Sequence, residues 1–111
     1  MNEISFQVQE MDDAVVVRII GDIDAYHSPK LKENLEDHIR GDCPTLLLDL
    51  SMVPYIDSAG LGTLVSVLRE TRNYKKTLKL IGLRQNIRRI FEMTRLDKIF
   101  IIMDTVEEGL K

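Results

Sequence analysis

The chain has 111 residues, of which 44% are hydrophobic and 30% charged, and its formal net charge is −3. This length suits one domain, and the apolar content is enough to bury a core, which argues against intrinsic disorder. The longest stretch without a charge, Ser58 to Leu68, is far short of the roughly 20 residues that a membrane helix needs. No basic region followed by an apolar run opens the chain, and the single cysteine, Cys43, has no partner for an internal disulfide. We therefore expect one cytoplasmic domain spanning residues 1–111.

Charge is unevenly distributed along the chain. Residues 1–60 hold 12 acidic and 4 basic side chains, whereas residues 61–111 hold 6 acidic and 11 basic ones. A nucleic-acid-binding protein would add aromatic platforms to such a basic half, but only Tyr74 and Phe91 lie among the bases. The pattern favours solvated helix faces and cations near helix C-termini. We expect neither a nucleic-acid nor a membrane partner.

The first elements in chain order form a β-hairpin. Apolar and polar residues alternate from Ile4 to Gln9, which is typical of a half-buried strand. A polar turn and the β-branched run Ala14–Ile20 predict the second strand. The segment from Gly21 to Asp24 then predicts a loop.

A helix, a strand and a second helix follow. Ser28 can cap a helix with Pro29 at its first position, and Gly41 ends it. Its apolar stripe has four-residue spacing: Leu31, Leu35 and Ile39. The apolar run Thr45–Leu50 predicts a buried strand. The next helix begins with Asp57 or Ser58 as its N-cap, and its predicted core stripe is Leu61, Leu64, Val65 and Leu68.

The last part of the chain predicts a strand over Thr77–Ile81, a helix over residues 87–94, a strand over Ile99–Ile102 and a short tail helix over Thr105–Leu110. Strands alternate with helices after the hairpin. The predicted fold class is therefore an α/β sandwich, with helices packed on a mixed sheet of four to five strands that opens with a β-hairpin.

Common enzyme motifs are incomplete. The Gly60-x-Gly62 pair lacks the third glycine of a dinucleotide fingerprint, there is no P-loop, and Ser58 lacks the preceding glycine of a hydrolase elbow. A Ser58–His27–Asp triad leaves a Ser58-dependent hydrolase as the alternative from another class, but His27, beside the helix start, is predicted to be a polar surface residue. No metal-ligand spacing is present. We expect no catalysis, cofactor or metal.

The most informative stretch is Asp57-Ser58-Ala59-Gly60-Leu61-Gly62. Two glycines within one helical turn each cost up to about 1 kcal/mol relative to alanine. Close packing or an approaching partner would justify that cost. A hydroxyl at a helix N-terminus is also suited to carry a phosphate, because the free amides and the helix dipole favour an anion.

This stretch, together with Gly21-Asp22-Ile23-Asp24 after the second strand, resembles the two signature loops of the STAS domain. Within that family, the two loops are similar to those of bacterial anti-sigma-factor antagonists, which are partner-switching proteins. It extends over nearly the whole chain and includes the later string Ile90-Phe91-x-Met93-Thr94-x-Leu96.

The resemblance implies a STAS fold and a binding module without catalysis. The unmodified protein would bind an anti-sigma factor that is also a serine kinase, phosphorylation of Ser58 by that kinase would end binding, and a serine phosphatase would reset it. Ala59 stands where many members have a second hydroxyl, which leaves Ser58 as the phosphoacceptor of the loop. We expect a monomer when free, and partner contacts from these residues: Asp22, Asp24, Asp57, Ser58, Gly60, Leu61 and Gly62. A STAS subunit of a stressosome or transport assembly is the alternative binding module.

Overall fold

The computed structural model describes residues 3–111, which form one mixed five-stranded sheet with helices packed on it. The strands are β1 (Ser5–Glu10), β2 (Ala14–Ile20), β3 (Thr45–Met52), β4 (Thr77–Ile81) and β5 (Ile101–Met103). The helices are α1 (Ser28–Arg40), α2 (Ser58–Asn73), α3 (Gln85–Met93) and α4 (Val106–Gly109), with a 3₁₀ turn at Leu96–Lys98. The predicted fold class is confirmed.

The strands lie in the sheet in chain order, from β1 to β5. The hairpin pairs β1 and β2 antiparallel, and each later pair is parallel. Alternate residues of β2 contact different cores, since Val15, Val17 and Ile19 belong to the main cluster and Ala14 and Val16 to a smaller one that includes Val106 of α4. Burial on both faces explains why β2 has a nearly unbroken apolar sequence.

Helix α2 buries a different stripe from the predicted one. Leu64 and Leu68 are buried as expected, but Leu61 and Val65 are only half-buried. The buried residues of this helix are Gly60, Leu64, Val67, Leu68 and Thr71. The inward face is rotated because Gly60 packs directly on the main chain of Ile23.

The end of the chain also departs from the predicted bounds. Arg95 has a positive φ of 62°, and the 3₁₀ turn follows it. The carbonyl of Leu96 accepts the amides of Ile99 and Phe100, so these residues cannot join the sheet, and β5 begins at Ile101. The tail helix is confirmed with shorter bounds, and Thr105 caps it. In the part of the chain that the structure describes, no helix is long and apolar enough to cross a membrane.

Candidate functional site

Two loops meet at the ends of neighbouring parallel strands. The loop after β2 and the loop after β3 are joined by a parallel bridge between Ile23 and Ile56. The Ile23 amide donates to the Tyr55 carbonyl at 3.0 Å, and the Asp57 amide donates to the Ile23 carbonyl at 3.2 Å. The carboxyl ends of parallel strands are where α/β sheets commonly bind ligands. The two loops therefore form one hydrogen-bonded backbone unit at the edge of the sheet where ligands commonly bind.

Asp57 connects this unit to helix α2. Its Oδ1 accepts the Gly60 amide at 2.8 Å and so caps the helix, and its Oδ2 accepts the Ala25 amide at 3.2 Å. Of the two predicted N-caps, the structure selects Asp57. Because both carboxylate oxygens are engaged, one side chain fixes the start of α2 relative to the first loop.

The two glycines of α2 have different surroundings. A Cβ built on Gly60 would lie 2.0 Å from the carbonyl oxygen of Ile23, so no side chain fits there. A Cβ built on Gly62 meets no described atom within 4 Å, and the residue is exposed. Close packing within the chain explains Gly60 but not Gly62.

Ser58 is the first residue of α2 and is exposed. Its hydroxyl forms no hydrogen bond with any residue from 3 to 111. It lies directly after the Asp57 cap, at the helix end whose first amides have no partner within the helix. A free hydroxyl in this position is accessible to a modifying enzyme.

Asp24 organises the first loop. Its Oδ1 accepts the backbone amide of His27 at 2.9 Å and lies 3.0 Å from His27 Nδ1. The prediction that His27 is a surface residue is wrong, because His27 is only 3% exposed and its ring contacts that of Tyr26. The prediction that Ser28 caps α1 is also wrong. Ser28 is the first helical residue, and its hydroxyl donates to the Asp24 carbonyl at 2.7 Å.

The remaining predicted residues lie on either side of this junction. Asp22 is half-buried and follows Gly21, whose amide donates to the carbonyl of Met52 at the end of β3. Leu61 packs partly on the main core. The structure thus brings Asp24, Asp57, Ser58 and Gly60 together through the joined loops, with the other predicted residues adjacent to them in the chain.

Two exposed tyrosines beside the site were missed by the sequence reasoning. Tyr26 follows the first loop and Tyr55 precedes Asp57, and they are 64% and 52% exposed. The available signal was an aromatic residue within three positions of each aspartate-containing loop, outside any apolar periodicity.

Ser58 and His27 are not arranged as a nucleophile and its base. A serine nucleophile needs a hydrogen-bonded base, whereas His27 Nδ1 lies 3.0 Å from Asp24 Oδ1 and the Ser58 hydroxyl has no hydrogen bond within residues 3–111. Within residues 3–111, no cluster of histidine, cysteine or acidic side chains could hold a metal ion.

Asp49 is a buried carboxylate outside the loops, on β3. Burial alone would raise its pKa, but hydrogen bonds from Ser51 and the Arg18 guanidinium at 3.1 Å outweigh burial and lower it. Asp49 is therefore a structural ion-pair partner.

Comparisons with known proteins show the family to which the chain belongs. The STAS domain family model matches residues 5–109. The anti-sigma-B factor antagonist of Listeria monocytogenes is 38% identical, over 95% of this chain and 93% of its own length. The crystal structure of an anti-sigma factor antagonist from Mycobacterium paratuberculosis has a TM-score of 0.87 and 27% identity, and covers 97% of this chain and 92% of that one.

A more distant structure shows the same fold. The Bacillus cell fate determinant SpoIIAA in its phosphorylated form has a TM-score of 0.72 and 21% identity, with 96% of each chain covered. The chain therefore belongs to the STAS domain family, and along almost its whole length it is similar to anti-sigma-factor antagonists.

Proposed function

We propose that this chain is an anti-sigma-factor antagonist whose binding is switched off by phosphorylation of Ser58. In its unmodified form it binds an anti-sigma factor that is also a serine kinase, and the sigma factor is released. The kinase then transfers a phosphate from its own ATP to Ser58, and a serine phosphatase removes it. The cycle requires ATP, so we assign it to the cytoplasm, with the free antagonist as a monomer.

The observation that carries this proposal is the state of the Ser58 side chain. It is exposed and unbonded among the described residues, yet it stands on backbone that Asp57 and Ile23 hold in place. Modification of Ser58 therefore breaks no hydrogen bond within residues 3–111. The similarity to named antagonists supports the same reading.

Electrostatics supports a switch that leaves the fold intact. A phosphate adds about −1.5 to −2 charges beside Asp57. At about 6 Å and an effective dielectric near 20, each pair of unit charges costs roughly 3 kcal/mol before salt screening. For the whole phosphate this amounts to about 4–6 kcal/mol, which screening at physiological ionic strength reduces by about half. The N-terminus of α2 returns up to about 2 kcal/mol, so the net cost within the folded chain is small. The phosphorylated form of SpoIIAA has a similar fold, which agrees with this balance.

The balance changes in a complex. Burying the phosphate against a partner removes water from a dianion and from the neighbouring carboxylates, and like-charge placement in an interface costs several kcal/mol. Free energy of that size reduces affinity by a hundredfold or more. The phosphate therefore blocks contact without refolding the antagonist.

The site of phosphorylation is the direct test. Incubation with the anti-sigma factor of the same organism and ATP should add one phosphate, which peptide mass spectrometry should locate on Ser58. Ser66→Ala, on the same helix, is the matched control and should still be phosphorylated, whereas Ser58→Ala should not. A phosphate on Ser28, Ser51, Thr63 or Ser66 with Ser58 unmodified would contradict the proposal.

The alternatives predict different results. A STAS subunit of a stressosome or transport assembly would form larger assemblies and would not be paired with this kinase. A Ser58-dependent hydrolase would turn over ester or phosphate model substrates, and Ser58→Ala would abolish that turnover.

A further inference from the structure

Two exposed tyrosines lie on the joined loops that carry the phosphoacceptor. Tyr55 lies three residues before Ser58 and is 52% exposed. Tyr26 is 64% exposed and follows Ala25, whose amide is held by Asp57. Both tyrosines lie in loop segments just before helices, and side chains this exposed contribute little to the core.

Both tyrosines are attached to restrained backbone. The Tyr55 carbonyl accepts the amide of Ile23 at 3.0 Å. The Tyr26 ring contacts the His27 ring edge-on, with centroids 5.0 Å apart and planes at 78°, and the buried His27 pairs with Asp24. Groups ordered before binding lose less entropy on association. Tyrosines on ordered loops of this kind are typical interface anchors.

Because both rings lie near Ser58, the protein that covers them is the kinase that binds there. A kinase that reaches the Ser58 hydroxyl also contacts the surface around it, and a standard interface covers about 800 Å² per partner, a disc of about 16 Å radius. Tyr55 lies within about 11 Å of Ser58 along even a fully extended chain. Tyr26 also lies near Ser58, because the preceding residue, Ala25, donates its amide to Asp57 Oδ2 at 3.2 Å.

We propose that Tyr26 and Tyr55 are the aromatic anchors by which the anti-sigma factor recognises this antagonist. The inference rests on the proposed function and extends it from the switch residue to the residues that hold the complex. The partner surface then carries two apolar sockets close to the cleft that receives Ser58. Tyrosine is among the residues most enriched at the energetic centres of interfaces.

The chain supplies a matched control. Tyr74 is 46% exposed, comparable with Tyr55, but it is the C-cap of α2. The 16 residues of that helix span about 24 Å from Ser58. Tyr74 therefore lies outside the footprint of a standard interface centred on Ser58.

The test measures binding of unphosphorylated antagonist to the anti-sigma factor of the same organism by titration calorimetry. Tyr26→Ala and Tyr55→Ala should each weaken binding at least about 30-fold, and Tyr74→Ala should change it less than about threefold. Tyr26→Phe and Tyr55→Phe keep the rings and should bind within about threefold of the wild type. Circular dichroism and thermal melting verify the fold of every variant.

The outcomes separate the two proposals. If Tyr26→Ala and Tyr55→Ala bind like the wild type while phosphorylation of Ser58 still abolishes binding, the anchor inference is wrong and the proposed function stands. An equal loss with Tyr74→Ala would also refute the inference, since the effect would not be local. A wild-type protein that fails to bind the anti-sigma factor would refute both.

Discussion

Alanine substitution at the two glycines of α2 should change stability in opposite directions. At Gly62 the new methyl group meets open space, and alanine is favoured over glycine inside a helix by about 1 kcal/mol. Gly62→Ala should therefore raise the free energy of unfolding by about 0.5–1 kcal/mol and the Tm by roughly 4 °C.

At Gly60 the same methyl group would lie 2.0 Å from the Ile23 carbonyl oxygen. The loop would have to move by more than 1 Å, and overpacking of this kind costs about 1–3 kcal/mol. That carbonyl also accepts the Asp57 amide, and losing the hydrogen bond adds about 1 kcal/mol. Gly60→Ala should therefore destabilise the protein by about 2–4 kcal/mol.

Urea unfolding of the wild type and both variants measures the two effects. A neutral Gly60→Ala would show that the loops are not packed as described, and a destabilising Gly62→Ala would show that Gly62 is needed for folding. The affinity of Gly62→Ala for the anti-sigma factor tests whether a partner contacts this position. If a partner's backbone approaches there, the more stable Gly62→Ala protein should bind the anti-sigma factor more weakly. Unchanged affinity would remove Gly62 from the partner surface.

Three further predictions concern single side chains. Ser58→Ala should change the free energy of unfolding by less than about 0.5 kcal/mol, since Asp57 and not Ser58 caps α2; a melt showing a larger loss would make the hydroxyl structural. Asp57→Ala should destabilise by about 1–3 kcal/mol and Asp57→Asn by less, because asparagine still offers one acceptor; equal losses in urea would contradict the capping geometry. The pKa of Asp49 lies below its ordinary value of 3.8, so its ion pair stabilises the fold above that pH and is lost as pH falls through the lowered pKa. Asp49→Asn should therefore lose less stability than the wild type between pH 5 and pH 3, and parallel losses would refute the assignment.

Features that depend on local sequence could be predicted. The hairpin, the order of helices and strands, and the capping role at Asp57 or Ser58 follow from periodicity and from residue types at element ends. The Asp-Ser-x-Gly-Leu-Gly string was informative for the same reason, since its polar start and two glycines stand out in a helix that is otherwise apolar on one face.

Features that depend on a distant segment could not be predicted. Gly60 and Gly62 are the same residue two positions apart, and only the approach of Ile23 distinguishes them. The same approach rotates α2, so that Leu61 is half-buried instead of buried. The burial of His27 and its 3.0 Å approach to Asp24 are features of the folded loop, which residue spacing does not reveal.

The most direct test of the account is the affinity of the anti-sigma factor for the antagonist with and without a phosphate on Ser58. Titration calorimetry should show tight binding of the unmodified protein, a loss of at least a hundredfold after phosphorylation, and recovery after phosphatase treatment. Ser58→Asp carries one charge and should lose about 30- to 1000-fold, and circular dichroism should show the same fold in every form. Equal affinity of the phosphorylated and unmodified proteins would contradict the switch at Ser58.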